Sequence, residues 1–392
     1  MGELKPGWSK WRFDQMAMSV TDRVDDPSEA GVEHYVGLEH LDSDSLKIPR
    51  WGSPEDVSAT KLVFQPGDII FGRRRAYQRK LGVAEFHGIA SAHSLVLRAK
   101  PEVVLPDFLP FFMQSDLFME LAQQISVGSL SPTINWKTLA KQEFALPPLE
   151  EQRRIAAVAA RWFAVVQEAR GAVDAAYRLR DSMRLELTKS ATDWTTVEQC
   201  IAFLTSGSRG WSKHYAESGD LFLRIGNLNS PTLRLNLCPE QLQCVHTPAG
   251  AEAKRTRAQE GDVLLGITGE AGLGLVGHAP DLPLPAYISQ HIAMIRPNPA
   301  LCHGRFLAHV LASPFGQQQV ARFNQPGAKS GMTLIDVRRL PIPELALQEQ
   351  VESAQRIDEV ESAILSLEKH VARSHESASE QVRHALAPGR IG

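Results

Sequence analysis

Cysteine is scarce: four in 392 residues, Cys200, Cys238, Cys244 and Cys302, all in the second half and none in a CxxC pair. That spacing argues against a zinc module or a disulfide framework and for a reducing cytoplasm. Long apolar runs are missing too. The richest patch, "LPDFLPFFM", falls far short of the roughly 18 residues of a membrane span. The N-terminal "MGELKPGWSKWRF" has no apolar core of a secretion signal. Nor does either sign of charge dominate: Lys and Arg number 42 against 45 Asp and Glu, for a net −3. Any nucleic-acid binding must therefore come from local patches. The remainder, 43% hydrophobic and 22% charged, suits a globular chain long enough for two or three domains.

Catalytic signatures are also missing. There is no GxxxxGK[ST], HExxH or GxSxG, no Asn-Pro-Pro-Tyr or Asp-Pro-Pro-Tyr, and no carboxylate cluster with nuclease spacing. "GLGLVG" (Gly272 to Gly277) matches GxGxxG, but it leads into "HAPDLPLP" rather than a helix. No acid occurs between Asp281 and Asp336. It reads as turns between strands, not as a dinucleotide site. The thirteen histidines are scattered. No catalytic constellation, metal site or cofactor site is expected on this chain.

What is present is a duplication. His93 in "SAHSLVLRAKP" and His291 in "SQHIAMIRPNP" lie 198 residues apart. Arg98 with Arg296, Phe108 with Phe306, Ser115 with Ser313, and Glu151-Gln152 with Glu349-Gln350 keep that offset. Upstream the offset shrinks in steps: 194 for Asp68 and Asp262, 187 for "YVGLEHL" and "FLRIGNL", 183 for Trp11 and Trp194. Stepwise drift means loop insertions between matched elements. The recurring histidines read as strand-edge structural residues rather than catalytic ones.

Each copy opens with short alternating runs and turns. It then gives strand-like pieces ("DIIFG" and "SLVLRA"; "DVLLGITG" and "IAMIRP"), a short helix and a Pro-rich junction. The fold class is mixed α/β (α+β). After the junctions "LPPLEEQRRIA" and "LPIPELALQEQ" the period becomes heptad. The first seam runs Ile155, Ala159, Trp162, Val166, Ala169, Val173, Ala176, Met183 and Leu187, interrupted by Arg180. The second runs Ile357, Val360, Ile364, Leu367 and Val371, then weakens through Ser374 and Ala378. Such seams bury against another helix, here each other, as an antiparallel coiled coil. The first helix would span roughly 58 Å at about 1.5 Å per residue. The expected boundaries are 1–147 for the first domain, 148–190 for the central helix, 191–343 for the second domain and 344–392 for the C-terminal helix.

Binding signals are local. "GRRRAYQRKLG" gathers Arg73, Arg74, Arg75, Arg79 and Lys80 around Tyr77, directly after a strand, where arginines can reach phosphates or guanine edges. The matching stretch of the second copy, "GITGEAGLGLVG", has no basic residue. Its candidates lie elsewhere: Arg209, Trp211, Lys213 and His214 in "SGSRGWSKHY", and Lys254, Arg255 and Arg257 in "AKRTRAQ". The acid-free stretch from Leu282 to Ile335, with Arg296, Arg305, Arg322 and Lys329, is also locally basic.

Two diverged domains, each followed by a heptad helix and without a catalytic motif, resemble the specificity subunits of Type I restriction-modification systems. The resemblance rests on "LPPLEEQRRIA" and its weaker second copy, on "PGDIIFGRRRAYQRK" and "SGSRGWSKHYAESGDLFLRIGNL", and on the openings "KPGWSKWRF" and "TDWTTVEQC". It covers essentially the whole chain. The second junction departs from the pattern in lacking the Arg pair and the following Ile-Ala. The resemblance implies two target-recognition domains reading the halves of a bipartite, asymmetric site in double-stranded DNA, with the helix pair fixing the gap. It also implies docking of two methyltransferase (modification) subunits through helix residues such as Glu151, Gln152, Arg153, Ile155, Trp162, Glu349, Gln350, Ile357 and Ile364. Restriction/translocase subunits would join them. S-adenosylmethionine, ATP and Mg would then belong to those partners, and this chain would be non-catalytic and cytoplasmic. Two other readings stay open: a specificity-type subunit of another DNA-modification or phage-defence complex, and a protein scaffold without nucleic acid.

Overall fold

The computed structural model describes residues 4–189, 191–324 and 331–386. The chain divides into two units, residues 1–170 with 369–392, and residues 171–368. No helix among the described residues is long and apolar enough to cross a membrane. The four cysteines are free thiols.

The strands of the first unit are β1 (Ser9–Arg12), β2 (Ala17–Val20), β3 (Arg23–Val24), β4 (Tyr35–Val36), β5 (Lys61–Phe64), β6 (Ile69–Gly72), β7 (Leu81–Val83), β8 (Gly88–Ala90), β9 (Ser94–Ala99) and β10 (Glu143–Leu146). They form sheets ordered β2-β9-β6-β7 and β3-β5-β8-β4, with a separate β1–β10 pair. The runs in β6 and β9 are continuously apolar because both faces are covered. Ile69, Phe71, Leu95 and Leu97 join the larger core with Phe13, Phe112, Phe118 and Phe144, whereas Ile70 and Val96 face the smaller core of the second sheet.

The second unit repeats this plan. Its strands are β11 (Trp194–Thr196), β12 (Ile201–Ser206), β13 (Tyr215–Ala216), β14 (Asp220–Leu223), β15 (Cys244–Val245), β16 (Arg257–Ala258), β17 (Val263–Gly266), β18 (Val276–His278), β19 (Ala286–Ile288), β20 (Ile292–Pro297) and β21 (Pro341–Pro343). The sheets are β12-β20-β17-β18 and β13-β15-β14-β19-β16, with a β11–β21 pair. Val263, Leu265, Ala293 and Ile295 face the larger core, and Leu264, Ile292 and Met294 the smaller one.

One polar device locks the same corner in both units. In "QPGD" Gly67 takes φ +89°, and in "QEGD" Gly261 takes +86°, a region that favours glycine. The turn buries Asp68 and Asp262 completely. Asp68 accepts from Gln65 N at 2.9 Å and from Arg98 Nε and Nη2 at 2.6 and 2.8 Å. Asp262 accepts from Gln259 N at 2.8 Å and from Arg296 Nε and Nη2, both at 2.7 Å. Arg296 is thus a structural counter-ion, which removes it from the locally basic stretch of the second copy.

The junctions open two long helices, the central Leu149–Lys189 and the C-terminal Leu347–Leu386. Within the second unit Tyr177 Oη donates to Glu368 Oε1 at 2.6 Å and Arg184 Nη2 to Glu361 Oε1 at 2.6 Å. Numbers that fall on one helix as they rise on the other mean antiparallel pairing. Within the first unit Trp162 Nε1 donates to Gln381 Oε1 at 2.8 Å.

At the foot of each helix a buried glutamine binds the domain beneath it. Gln152 Oε1 accepts from Leu105 N at 2.9 Å, and its Nε2 donates to Val103 O and Pro147 O, both at 3.0 Å. Gln350 repeats the set with His303 N at 2.9 Å, Leu301 O at 3.1 Å and Leu345 O at 2.9 Å. Truncation leaves one N–H and two carbonyls unpaired. Gln152→Ala and Gln350→Ala should each lower unfolding free energy by about 2–4 kcal/mol, read by urea titration of the full chain. The exposed Glu150→Ala should stay within about 0.5 kcal/mol.

Candidate nucleic-acid interface

The basic tract of the first unit leaves the end of β6. Arg73 N donates to His93 O at 3.1 Å, Ile134 N to Arg73 O at 2.8 Å, and Arg75 N to Pro132 O at 2.8 Å. The tract is therefore held between the start of β9 and the loop at residues 131–134. Arg75 and Arg79 have φ of +55° and +52°, strained for non-glycine residues, as is common where backbone is shaped for function. Arg74 Nη1 donates to His93 Nε2 at 3.2 Å. Burial first, then the Arg74 and Arg73 cations, lower the His93 pKa, so the ring stays neutral and accepts. Arg75 and Tyr77 are exposed, Arg73 and Arg74 half-buried.

Arg79 and Lys80, both in the expected DNA-binding set, have partners within the domain. Arg79 pairs with Asp44 and, at 3.0 Å, with Asp116, and donates to Gln114 O at 2.5 Å. Lys80 Nζ donates to Leu38 O at 2.7 Å. Both cations are satisfied inside the domain, which leaves Arg73, Arg74 and Arg75 at the tip.

The second unit has the same frame with other side chains. Ile267 N donates to His291 O at 2.9 Å and Met332 N to Ile267 O at 2.8 Å, while Thr268 bonds His291 Nδ1. Trp211, expected at the DNA surface, is 3% exposed and packs on Phe222 and Tyr287 at centroid distances of 5.6 and 5.4 Å. It anchors its segment against Ala253 of the helix Ala251–Thr256 and cannot stack on a base. That anchoring brings two candidate groups together. Arg209, Lys213, Lys254, Arg255 and Arg257 are exposed and His214 half-buried. Arg255 Nη1 is engaged by Thr205 and by Ser206 O at 2.5 Å. Arg322 is exposed, and Lys329 lies outside the described residues.

Several expected docking residues are likewise occupied within the chain. Gln152 and Gln350 hold the junctions, Ile155 and Ile357 are buried in the larger cores of their units, and Ile364 is buried. Trp162 is half-buried. Glu349 Oε2 accepts from Ala346 N at 3.0 Å, capping its own helix. Glu151 pairs with Arg154 at 2.6 Å, and Arg153 is exposed.

The seam of the second unit contains a polar layer that heptad reading missed. Arg184 and Glu361, each 2% exposed, form its centre. Arg305 pairs with Asp358 and, at 2.9 Å, with Glu361. Arg184 Nε donates to His309 Nδ1 at 3.2 Å, so the ring proton sits on Nε2, 2.9 Å from Asp358 Oδ1. His309 is thereby neutral: burial, outweighing the bond to Asp358, pushes its pKa down to about 4. Burial also pushes His278 to about 4, lowers Arg184 to about 10 and raises Glu361. Burial opposes ionisation of Asp358, but hydrogen bonds from His309 and Arg305 overcome it and hold the carboxyl low. His309, Asp358 and Glu361 bring donor atoms within 4.8 Å of one another. Two guanidinium groups already neutralise them, so the group is an ion-pair network rather than a metal centre.

Residues 56–160 match the Type I restriction modification DNA specificity domain. Over 150 residues, 38% of this chain, the sequence is 28% identical to the Type I restriction enzyme EcoDI specificity subunit of Escherichia coli. The aligned part spans 33% of that relative's length. A solved structure described as the structural basis of complex assembly and conformational transition of the type I R-M system aligns with a TM-score of 0.56 at 20% identity, over 98% of this chain and 97% of the other. The Type-I restriction-modification system S subunit from M. genitalium aligns at 0.53 and 13% identity over 100% of both chains. These two share the fold: sheet-bearing α/β units and two long helices. Together the matches show the resemblance to Type I specificity subunits that the repeated junction carries.

The buried histidines make stability pH-dependent with a definite sign. Their folded pKa values lie below the ordinary 6.5, so the unfolded chain binds more protons between the two. Their contribution is complete above about pH 6.5 and is lost as pH falls toward 4. Urea unfolding should show a less stable protein at pH 5 than at 7.5, and His309→Gln, which does not titrate, should flatten that dependence.

Proposed function

We propose that this chain is the DNA-specificity subunit of a Type I restriction-modification complex, non-catalytic itself. Each unit reads one half of a bipartite, asymmetric target in double-stranded DNA. The long helices dock two modification subunits, which supply S-adenosylmethionine-dependent methylation of adenine, and restriction/translocase subunits join that core with ATP and Mg. The observation that carries this reading is a retained frame with diverged tips. Backbone bonds around His93 and His291 coincide, yet the strand tip bears Arg73, Arg74 and Arg75 in one unit and Ile267, Thr268 and Gly269 in the other. A backbone frame kept constant while the side chains on it change suits two readers of different sequences.

The test is a long-read methylation map of the host genome with and without the gene. Loss of methyladenine from one split, asymmetric motif is expected, and an unchanged map overturns the proposal. Exchanging residues 1–145 for a relative's domain should alter one half-site and leave the other. Arg73→Ala with Arg75→Ala should weaken DNA binding of the assembled complex. The slope of log affinity against log salt should become shallower by about 1 for each phosphate that the variant no longer neutralises. A fluorescence titration across salt concentrations measures that slope.

A further inference from the structure

The histidine that recurs in both units holds a different partner in each. In the first unit His93 Nε2 accepts from the guanidinium of Arg74 at 3.2 Å. In the second unit the position of Arg74 is taken by Thr268, which bonds His291 Nδ1. His291 Nε2 instead accepts from Gln290 Nε2 at 2.9 Å. The residue before His93 is Ala92, so the first unit has no amide there. One imidazole in one frame thus orients a guanidinium on one side of the repeat and a carboxamide on the other.

Those two groups are the ones whose geometry matches purine edges in the major groove. A guanidinium donates to guanine O6 and N7, and a carboxamide accepts from adenine N6 while donating to N7. The second N–H of Gln290 and its Oε1 remain for a base once the first N–H is held by His291. The surroundings fit that role. Gln290 and His291 line a recess of about 600 Å³ together with Arg224, Gln241 and Ser289. Ser289 is 3% exposed, and its hydroxyl has no hydrogen-bond partner among the described residues. The recess abuts the exposed cations: Gln290 N donates to Ser208 O at 3.1 Å, next to Arg209. Cations beside a mixed donor–acceptor recess divide the work as DNA readers do, phosphates for position and base edges for sequence.

We propose that His93 and His291 are matched positioning residues that present the base-reading side chain of each half-site, Arg74 toward a guanine and Gln290 toward an adenine. This rests on the reading of the chain as a Type I specificity subunit. The experiment is methylation-motif mapping of the assembled complex carrying single variants. Gln290→Ala should relax one adenine position in one half-site, with discrimination there falling about tenfold or more, and leave the other half unchanged. Arg74→Ala should relax a guanine in the other half. Gln290→Glu should move the preference toward cytosine, whose amino group a carboxylate accepts from, a gain that misfolding does not produce. His291→Ala should weaken discrimination at the Gln290 position alone, and adding it to Gln290→Ala should change nothing further. An unchanged motif with uniformly reduced methylation in the Gln290 and Arg74 variants overturns the assignment, as does relaxation in the same half-site for both. A wild-type complex that marks no split motif would sink the functional reading itself, a separate result.

Discussion

A carboxamide buried at the foot of each long helix satisfies three backbone groups. Gln152 and Gln350 each bind a loop of the domain below and the chain entering the helix. Because the amide has both donors and an acceptor, the loop, the junction and the first helical turn share one geometry. Loss of any bond leaves a desolvated polar group, so the helix cannot pivot on the domain without a large penalty. The direction of the helix, and with it the facing of the seam, follows from that anchorage.

The two copies divide into what physics holds constant and what it leaves free. The buried carboxylates Asp68 and Asp262, paired with the half-buried Arg98 and Arg296, sit at the same turn with nearly the same distances, since a buried carboxylate without its guanidinium is costly. The strand tips a few residues on are held by backbone bonds and not by a matched side-chain ion pair. There the chain exchanges three arginines for Ile267, Thr268 and Gly269 while the backbone bonds around the tip persist. Fixed corners and free tips let one architecture carry two chemistries.

The repeat, the strand runs, the junctions and the heptad seams were legible in the sequence because each is a periodic or local signal. Pairings over long separations were not. "SGSRGWSKHY" reads as an exposed basic segment, yet Trp211 is buried because Phe222 and Tyr287 arrive from other strands. Arg79 reads as a free cation, yet Asp44, 35 residues away, claims it. Arg184 and Glu361, 177 residues apart, bring charge into a seam whose pattern asks for apolar side chains. A hint was available: Glu361 falls at seam spacing between Ile357 and Ile364. The candidate DNA-facing residues were legible as composition, but which cations remain exposed depends on partners that only the fold supplies.

The charged layer has a counterpart that gives it meaning. At the 198-residue offset, His309 and Glu361 correspond to Phe111 and Phe163, which meet edge-to-face at 5.2 Å in the first unit. Twin halves descended from one sequence face a sorting problem: a helix segment built for one core is nearly the right shape for the other. Here a misplaced segment would set Glu361 or Arg184 against phenylalanine, or strip either of its counter-ion. An uncompensated buried charge is costly, so this one layer makes the two helix segments non-interchangeable between the cores that hold them.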